Sequence, residues 1–202
     1  MLSKNLKLAW RHLLKNRSFG LINLFGLAFG LGAAMAVLLY VQDEFAYESF
    51  HERADNIYRL NLEATFDGQT MKLGAVPNAT ADLLKRKIPE VREVVRVFPH
   101  AFGQPASVQA GENTFVENRL YWADSTLFNV FTLEMTQGTQ AEALHRVNTA
   151  IISQSTARRY FGKKNPVGQT IRVDNSRNLE VTGVFKDLPS HTHYPFSVLA
   201  YF

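Results

Sequence analysis

The chain has 202 residues, a formal charge of +4 and no cysteine, so disulfides, thiolate metal sites and cysteine nucleophiles are excluded. The positive charge does not mark a nucleic-acid binder. Five of the 22 basic residues lie within the first 17 positions, which leaves 17 to face all 18 acidic residues in the rest of the chain. The later part is close to neutral, with no Lys/Arg patch interleaved with aromatics.

In chain order, the first feature is Lys4, Lys7, Arg11, Lys15 and Arg17, with no carboxylate among them. Leu2, Leu6, Ala9, Leu13 and Leu14 recur between them at helical spacing, with Trp10 alongside. This pattern predicts an amphipathic helix over residues 1–17, lying on anionic lipid or against a cytoplasmic partner. Its interface candidates are Lys7, Trp10 and Arg11. Residues 18–42 then carry no charge at all. A helix of that length exceeds the roughly 30 Å hydrocarbon layer, so it predicts a transmembrane segment. Asp43, Glu44 and Glu48 follow it, and the one-sided basic flank places Met1 in the cytoplasm and residues 43–202 outside. Ala34-Met35-Ala36 resembles a signal-peptide cleavage site, but the apolar run continues through Val37, Leu38, Leu39, Tyr40 and Val41. A buried helix of a soluble domain would have no use for the basic flank. Gly26, Gly30 and Ala34, spaced by four, form a small-residue face on which another helix can pack.

The outer segment, about 160 residues, is large enough to bury a core. It mixes strand-like and helical stretches without regular alternation, which predicts an α+β domain, of two lobes, with mixed strands. Expected strands are Ile57 to Phe66, Met71 to Leu73, Arg92 to Phe98, Thr114 to Trp122, Thr149 to Ile152, Ile171 to Val173 and Leu179 to Phe185. Asp67-Gly68 is a turn signal. Asn78 is a candidate cap for a helix through Lys87, and it also opens the glycosylation sequon Asn78-Ala79-Thr80. Ser153 can cap a helix from Gln154 to Phe161 that Gly162 closes. Gly183 suggests a bulge or a close backbone approach.

Little in the chain suggests catalysis. Gly162-Lys163-Lys164 is not a P-loop, and Gly30-Leu31-Gly32 lies inside the apolar run. His191 and His193 form an H-x-H pair lacking a third ligand, so no metal site is assigned. His51 and His145 show no evident carboxylate partner, and Ser153 and Ser155 no positioned base. No catalytic, cofactor-binding or metal-binding residue is therefore named.

Ile151-Ile152-Ser153-Gln154-Ser155-Thr156-Ala157-Arg158-Arg159-Tyr160-Phe161-Gly162, followed by Asn165-Pro166-Val167-Gly168, resembles the signature of the MacB-like periplasmic core domain of FtsX/MacB-class ABC transporter permeases. Asp124, Phe128, Phe131, Gly138 and Leu144 upstream, and Val181-Thr182-Gly183-Val184, Asp187, Pro189, His193 and Phe196 downstream, fit the same pattern. Asn5, Ala9, Arg11, Leu14, Lys15, Asn16, Ile22-Asn23, Gly26-Leu27 and Gly30 are similar to the first transmembrane segment of such permeases, and Tyr47, Phe50-His51 and Ile57-Tyr58-Arg59 follow suit. Thr192, where the family tends to have serine, and Ser197, where an acid is usual, depart from the pattern.

The resemblance implies a non-enzymatic permease subunit in the inner membrane. It would act as a dimer, coupling ATP hydrolysis by a cytoplasmic ATP-binding subunit to motion of its outer domain by mechanotransmission, with a periplasmic adaptor as a further partner. ATP would bind the partner, and this chain would hold no cofactor. Four transmembrane helices are implied, so a chain stopping within Val198-Leu199-Ala200-Tyr201-Phe202 is expected to be a fragment whose domain is truncated at its C-terminal end. A single-span anchored sensor without an ATPase is the alternative.

Overall fold

The computed structural model describes Arg11, Lys15 and residues 17–202. The chain divides into two units, residues 1–47 and 48–202. In the first, α1 (Arg17–Ala46) is a single 30-residue helix. Its mean hydropathy of 2.2 and its length, about 45 Å at the standard rise, are sufficient to cross a membrane.

The second unit contains two sheets. β1 (Leu62–Phe66) and β2 (Gln69–Leu73) form a separate hairpin. Asp67 and Gly68 both adopt positive φ, 52° and 77°, the geometry of the tight turn whose twist matches paired strands. Leu62, Ala64 and Phe66 share a face with Met71 and Leu73, and Glu63 lies opposite Lys72 on the other face. α2 (Ala79–Lys87) follows.

The larger sheet has nine strands: β3 (Val97–Pro99), β4 (Ala106–Ala110), β5 (Asn113–Glu117), β6 (Leu120–Ala123), β7 (Met135–Gln137), β8 (Thr149–Ser153), β9 (Thr170–Val173), β10 (Arg177–Phe185) and β11 (Val198–Tyr201). Their spatial order is β3-β6-β11-β8-β10-β9-β4-β5, with β7 pairing one end of β10. β11 runs parallel to β6, and β8 parallel to β10; the other pairs are antiparallel. The domain is thus α+β with a mixed sheet, as the element pattern predicts.

Both faces of this sheet are buried. Ala150, Ile152, Val198 and Ala200 point into one core, together with Val108, Ile171, Val173, Leu179 and Val181. α4 (Gln154–Phe161) covers it with Ala157 and Tyr160. Ile151 and Leu199, the intervening residues, point into the second core with Leu127 of the short helix α3 (Leu127–Val130), Phe131, Leu133 and Leu144. Alternation along β8 and β11 is the two-residue period of a pleated strand.

Strand β10 breaks that period. Leu179, Val181 and Val184 face the first core, whereas Phe185 faces the second. A regular strand would put residues 179, 181, 183 and 185 on one side. The pairing with β8 shifts register between Val181 and Gly183, so one extra residue is inserted and the phase inverts. Fully buried Phe185 thereby reaches the opposite face. Gly183 is the bulge and close approach that its sequence context suggests: a Cβ there would lie 3.0 Å from the Gln137 carbonyl.

Local signals are realised unevenly. Ser153 caps α4, its hydroxyl accepting the Thr156 N–H at 3.3 Å, and Gly162 follows the helix at φ 63°. In Asn165-Pro166-Val167-Gly168 the Asn165 side chain accepts the Val167 N–H, and Gly168 turns at φ 85°. Asn78 makes no side-chain cap: it is itself helical, and backbone carbonyls of Pro77 and Asn78 receive the first N–H groups. The predicted strand from Ile57 begins only at Leu62, and that from Arg92 only at Val97. The strand expected over Thr114 to Trp122 is two strands, broken at Asn118-Arg119.

Gly138 (φ 77°) tests the packing at the bulge, because a Cβ there would meet the Thr182 carbonyl oxygen at 2.5 Å. Gly111 (φ 61°) has open space around it. Gly138→Ala is predicted to cost about 3 kcal/mol, and Gly111→Ala only about 1 kcal/mol, from the left-handed backbone alone. Urea denaturation of the two variants measures the difference, and equal losses would contradict the close approach.

Candidate functional site

Residues 47–50 form a turn after α1. Glu48 adopts φ 57°, and its N–H donates to the His191 carbonyl at 3.3 Å. Its carboxylate then gathers donors from two segments. The His193 N–H donates to Oε1 at 2.6 Å, and the Thr192 hydroxyl donates to Oε1 at 3.0 Å, with Oε2 at 3.1 Å. His51 Nε2 reaches Oε2 at 3.1 Å. His193 Nδ1 lies 3.4 Å from Oε1. A carboxylate accepting several charge-assisted bonds holds its partners more tightly than neutral groups would.

His51 is the inward end of this clasp and is only 5 % exposed. Its Nδ1 accepts the Thr132 N–H at 3.1 Å. A ring nitrogen that accepts a backbone N–H carries no proton, so the proton is on Nε2, where it donates to Glu48. The next residue repeats the link, since the Glu52 N–H donates to the Thr132 hydroxyl at 2.9 Å. The imidazole meets Phe131 edge to face at 5.1 Å, and Phe131 meets Tyr194 and Phe196 in the same way. Phe131 and Phe196 belong to the second core. Hydrogen bonds and rings together tie residues 48–52 to the loop before β11 and to the segment after α3.

The structure corrects one expectation here. His51 does have a carboxylate partner, Glu48, three residues before it on a tight turn. Glu48 and His51 lie on a turn rather than a regular helix, and the E-x-x-H spacing is the only sequence signal of their pairing. Thr192, a departure from the family pattern, supplies a hydroxyl that donates to Glu48, as a serine hydroxyl would. His193 is engaged through its backbone N–H, and His191 through its carbonyl. No group of three or more metal-binding side chains suited to an ion occurs among the described residues. Ser153, 2 % exposed, is committed to its cap and to Thr156.

On α1, Gly26, Gly30 and Ala34 are exposed, and a Cβ at either glycine would meet nothing within 4 Å. Arg11 is helical and exposed. Lys7 and Trp10, with most of the amphipathic segment, lie outside the described residues.

The family described as MacB-like periplasmic core domain matches residues 21–200. The chain belongs to that family. Among solved structures, the domain of a Porphyromonas gingivalis protein described as a permease is similar at 23% identity and TM-score 0.58, over 66% of this chain and 55% of that one. The periplasmic region of MacB from Actinobacillus actinomycetemcomitans aligns at 20% identity and TM-score 0.49, over 61% of this chain and 53% of that one. The extracellular domain of the noncanonic ABC-type transporter YknZ from Gram-positive bacteria aligns at 22% and 0.48, over 62% of each chain. The chain therefore spans between about half and three fifths of these structures' chains. No curated protein matches it.

Burial holds the His51 pKa below its ordinary 6.5, against a smaller upward pull from Glu48. The folded protein then binds fewer protons than the unfolded chain once pH falls below 6.5, so stability is complete above that value and declines as pH drops beneath it. His51→Gln cannot titrate. Its deficit in Tm relative to the parent is predicted to shrink between about pH 8 and about pH 5. Thermal scans across that range check this, and parallel curves would contradict it.

Proposed function

We propose that the chain is the first membrane helix and outer domain of an ABC transporter permease, and that it transmits the work of a cytoplasmic ATPase to the far side of the inner membrane. The observation that carries this reading is the family match, which runs continuously from within α1 to β11 and so includes helix and domain together. MacB-like periplasmic core domains are parts of transporter permeases and are not themselves catalytic, and the committed roles of Ser153 and His51 suit a structural part. ATP belongs to the partner subunit on this reading.

The coupling follows from chain order and from the clasp. Movement of the helix is passed along the backbone to residue 48, where Glu48 grips Thr192 and His193. Residue 48 is thus a point at which the outer domain holds the chain shortly after the helix. A hinge there would absorb the movement, whereas a gripped residue conveys it. On the inner side, Lys7, Trp10 and Arg11 lie close to the ATPase. The Gly26, Gly30 and Ala34 face packs on a neighbouring helix, within the permease or across a permease dimer. Membrane lipids surround the helix, and a periplasmic adaptor meets the outer domain. The process served is export or efflux.

Two experiments test the arrangement. Because these 202 residues contain no cysteine, a single introduced thiol in this chain reports topology without background. Asp67→Cys is predicted to react with a membrane-impermeant maleimide in intact spheroplasts, and Asn5→Cys only after lysis; the reverse pattern would contradict the orientation. In the full permease, Gly26→Leu with Gly30→Leu is predicted to reduce cross-linked dimer or assembled complex severalfold, because leucine keeps the facing backbone away. Unchanged assembly and activity would remove the packing role.

A further inference from the structure

Away from the clasp, a polar cavity of about 340 Å³ opens where β5 gives way to β6, beside the first turns of α4. Glu117, Arg119, Ser155, Thr156, Arg159 and Ser197 contribute to its lining. Glu117, 3 % exposed, is a carboxylate at the end of an otherwise unremarkable edge strand. One oxygen receives the Arg159 guanidinium and, at 3.0 Å, the Tyr160 hydroxyl. The other receives the Arg119 N–H at 3.1 Å. Burial first, and the adjacent Glu117 charge second, push the Tyr160 pKa up from 10.0, so this hydroxyl stays protonated and donates.

Glu117 is buried while Arg159 is partly exposed, so the pair's attraction is screened by solvent and offset by desolvation of the carboxylate, and stability alone explains it poorly. Its geometric consequence is to fix Arg159. That side chain is 46% exposed and has a planar fork of five N–H donors, of which Glu117 engages only part. The Arg119 side chain is exposed and has no carboxylate partner among the described residues. Arg159 pairs with this internally committed carboxylate, and Arg119, whose N–H donates to it, also contributes to the cavity lining. The first turn of α4 is not the source of attraction, because Asp187 already accepts the Ser155 N–H there at 3.0 Å. The remaining walls are mainly hydroxyl and amide groups with Val116 beside them, a lining that suits a polar chain better than an acyl one.

We propose that this cavity binds a peptide-sized ligand through its carboxylate, received by Arg119 and by the Arg159 fork that Glu117 holds in place. A planar carboxylate matches a guanidinium in two parallel hydrogen bonds. Bonds of this kind, removed singly, change affinity by about tenfold. The assignment does not depend on the permease coupling described above.

The test uses the full ¹⁵N-labelled chain in lipid nanodiscs and three probes: tri-alanine with a free C-terminal carboxylate, the same peptide as its C-terminal amide, and inorganic phosphate. The free acid is expected to give saturable shifts in the amides of Asn118, Ser155 and Ser197 at millimolar concentration, while the amide and phosphate give none. Arg119→Gln, which removes no described ion pair, is expected to keep the parent Tm and weaken the acid about tenfold. Arg159→Lys, which keeps the charge and loses the fork, is expected to weaken it as well. No saturable shift with the acid, an equal response to the amide, or an unchanged Arg119→Gln would overturn the site. Phosphate binding as well as the acid does would overturn the carboxylate assignment.

Discussion

The outer domain depends on one four-residue strand. β11 lies between β6 and β8 and pairs with both, so the sheet is continuous only through residues 198–201. Val198, Leu199 and Ala200 are all fully buried, and they alternate between the two cores. A strand buried on both faces reads as an uninterrupted apolar run, and Val198 to Phe202 has that character. Without it, β3 and β6 would have no strand pairing to the other six strands, and each core would lose residues at its centre.

That central position also explains where the clasp is built. The loop entering β11 is anchored at its end, where Ser197 N–H and Val198 N–H both donate to the Arg119 carbonyl and the Ser197 carbonyl accepts the Ser153 N–H. A few residues earlier the same loop presents Thr192 and His193 to Glu48. The first residues of the outer unit are thus joined to a loop that runs directly into the middle of the sheet. Phe131 and Phe196 extend the connection through the second core. The bulge at Thr182-Gly183 serves that core too, since the phase change it introduces is what lets Phe185 fill it.

The legible parts of the fold were those set by local chemistry. A 25-residue run without charge, the Ser153 and Gly162 helix ends, the Asp67-Gly68 turn and the bulge or close approach at Gly183 each follow from residues a few positions apart. The α+β class follows from the irregular order of such segments. What was not legible lies at long range. The Glu48 and Thr192 bond spans 144 positions, and nothing about either residue names the other. The single strand expected over Thr114 to Trp122 hid a break at which Glu117 turns inward, because Asn118 and Arg119 fit an exposed strand as well as a bend. Asn78 had cap chemistry and a helix behind it, yet its own backbone joined the helix and left its side chain unused. Family motifs located the strongest local signals, Ser153 to Gly168, while the clasp used Glu48, which no motif singled out.

Glu48 is proposed to pass motion from the helix to the outer domain. The most direct measurement is the ATP-dependent change in spacing between spin labels on the outer domains of the assembled permease and its ATPase, compared between the parent and Glu48→Ala. The parent spacing is expected to change with nucleotide, and the variant to hydrolyse ATP with its outer spacing fixed. An unaltered spacing change in Glu48→Ala would contradict that role.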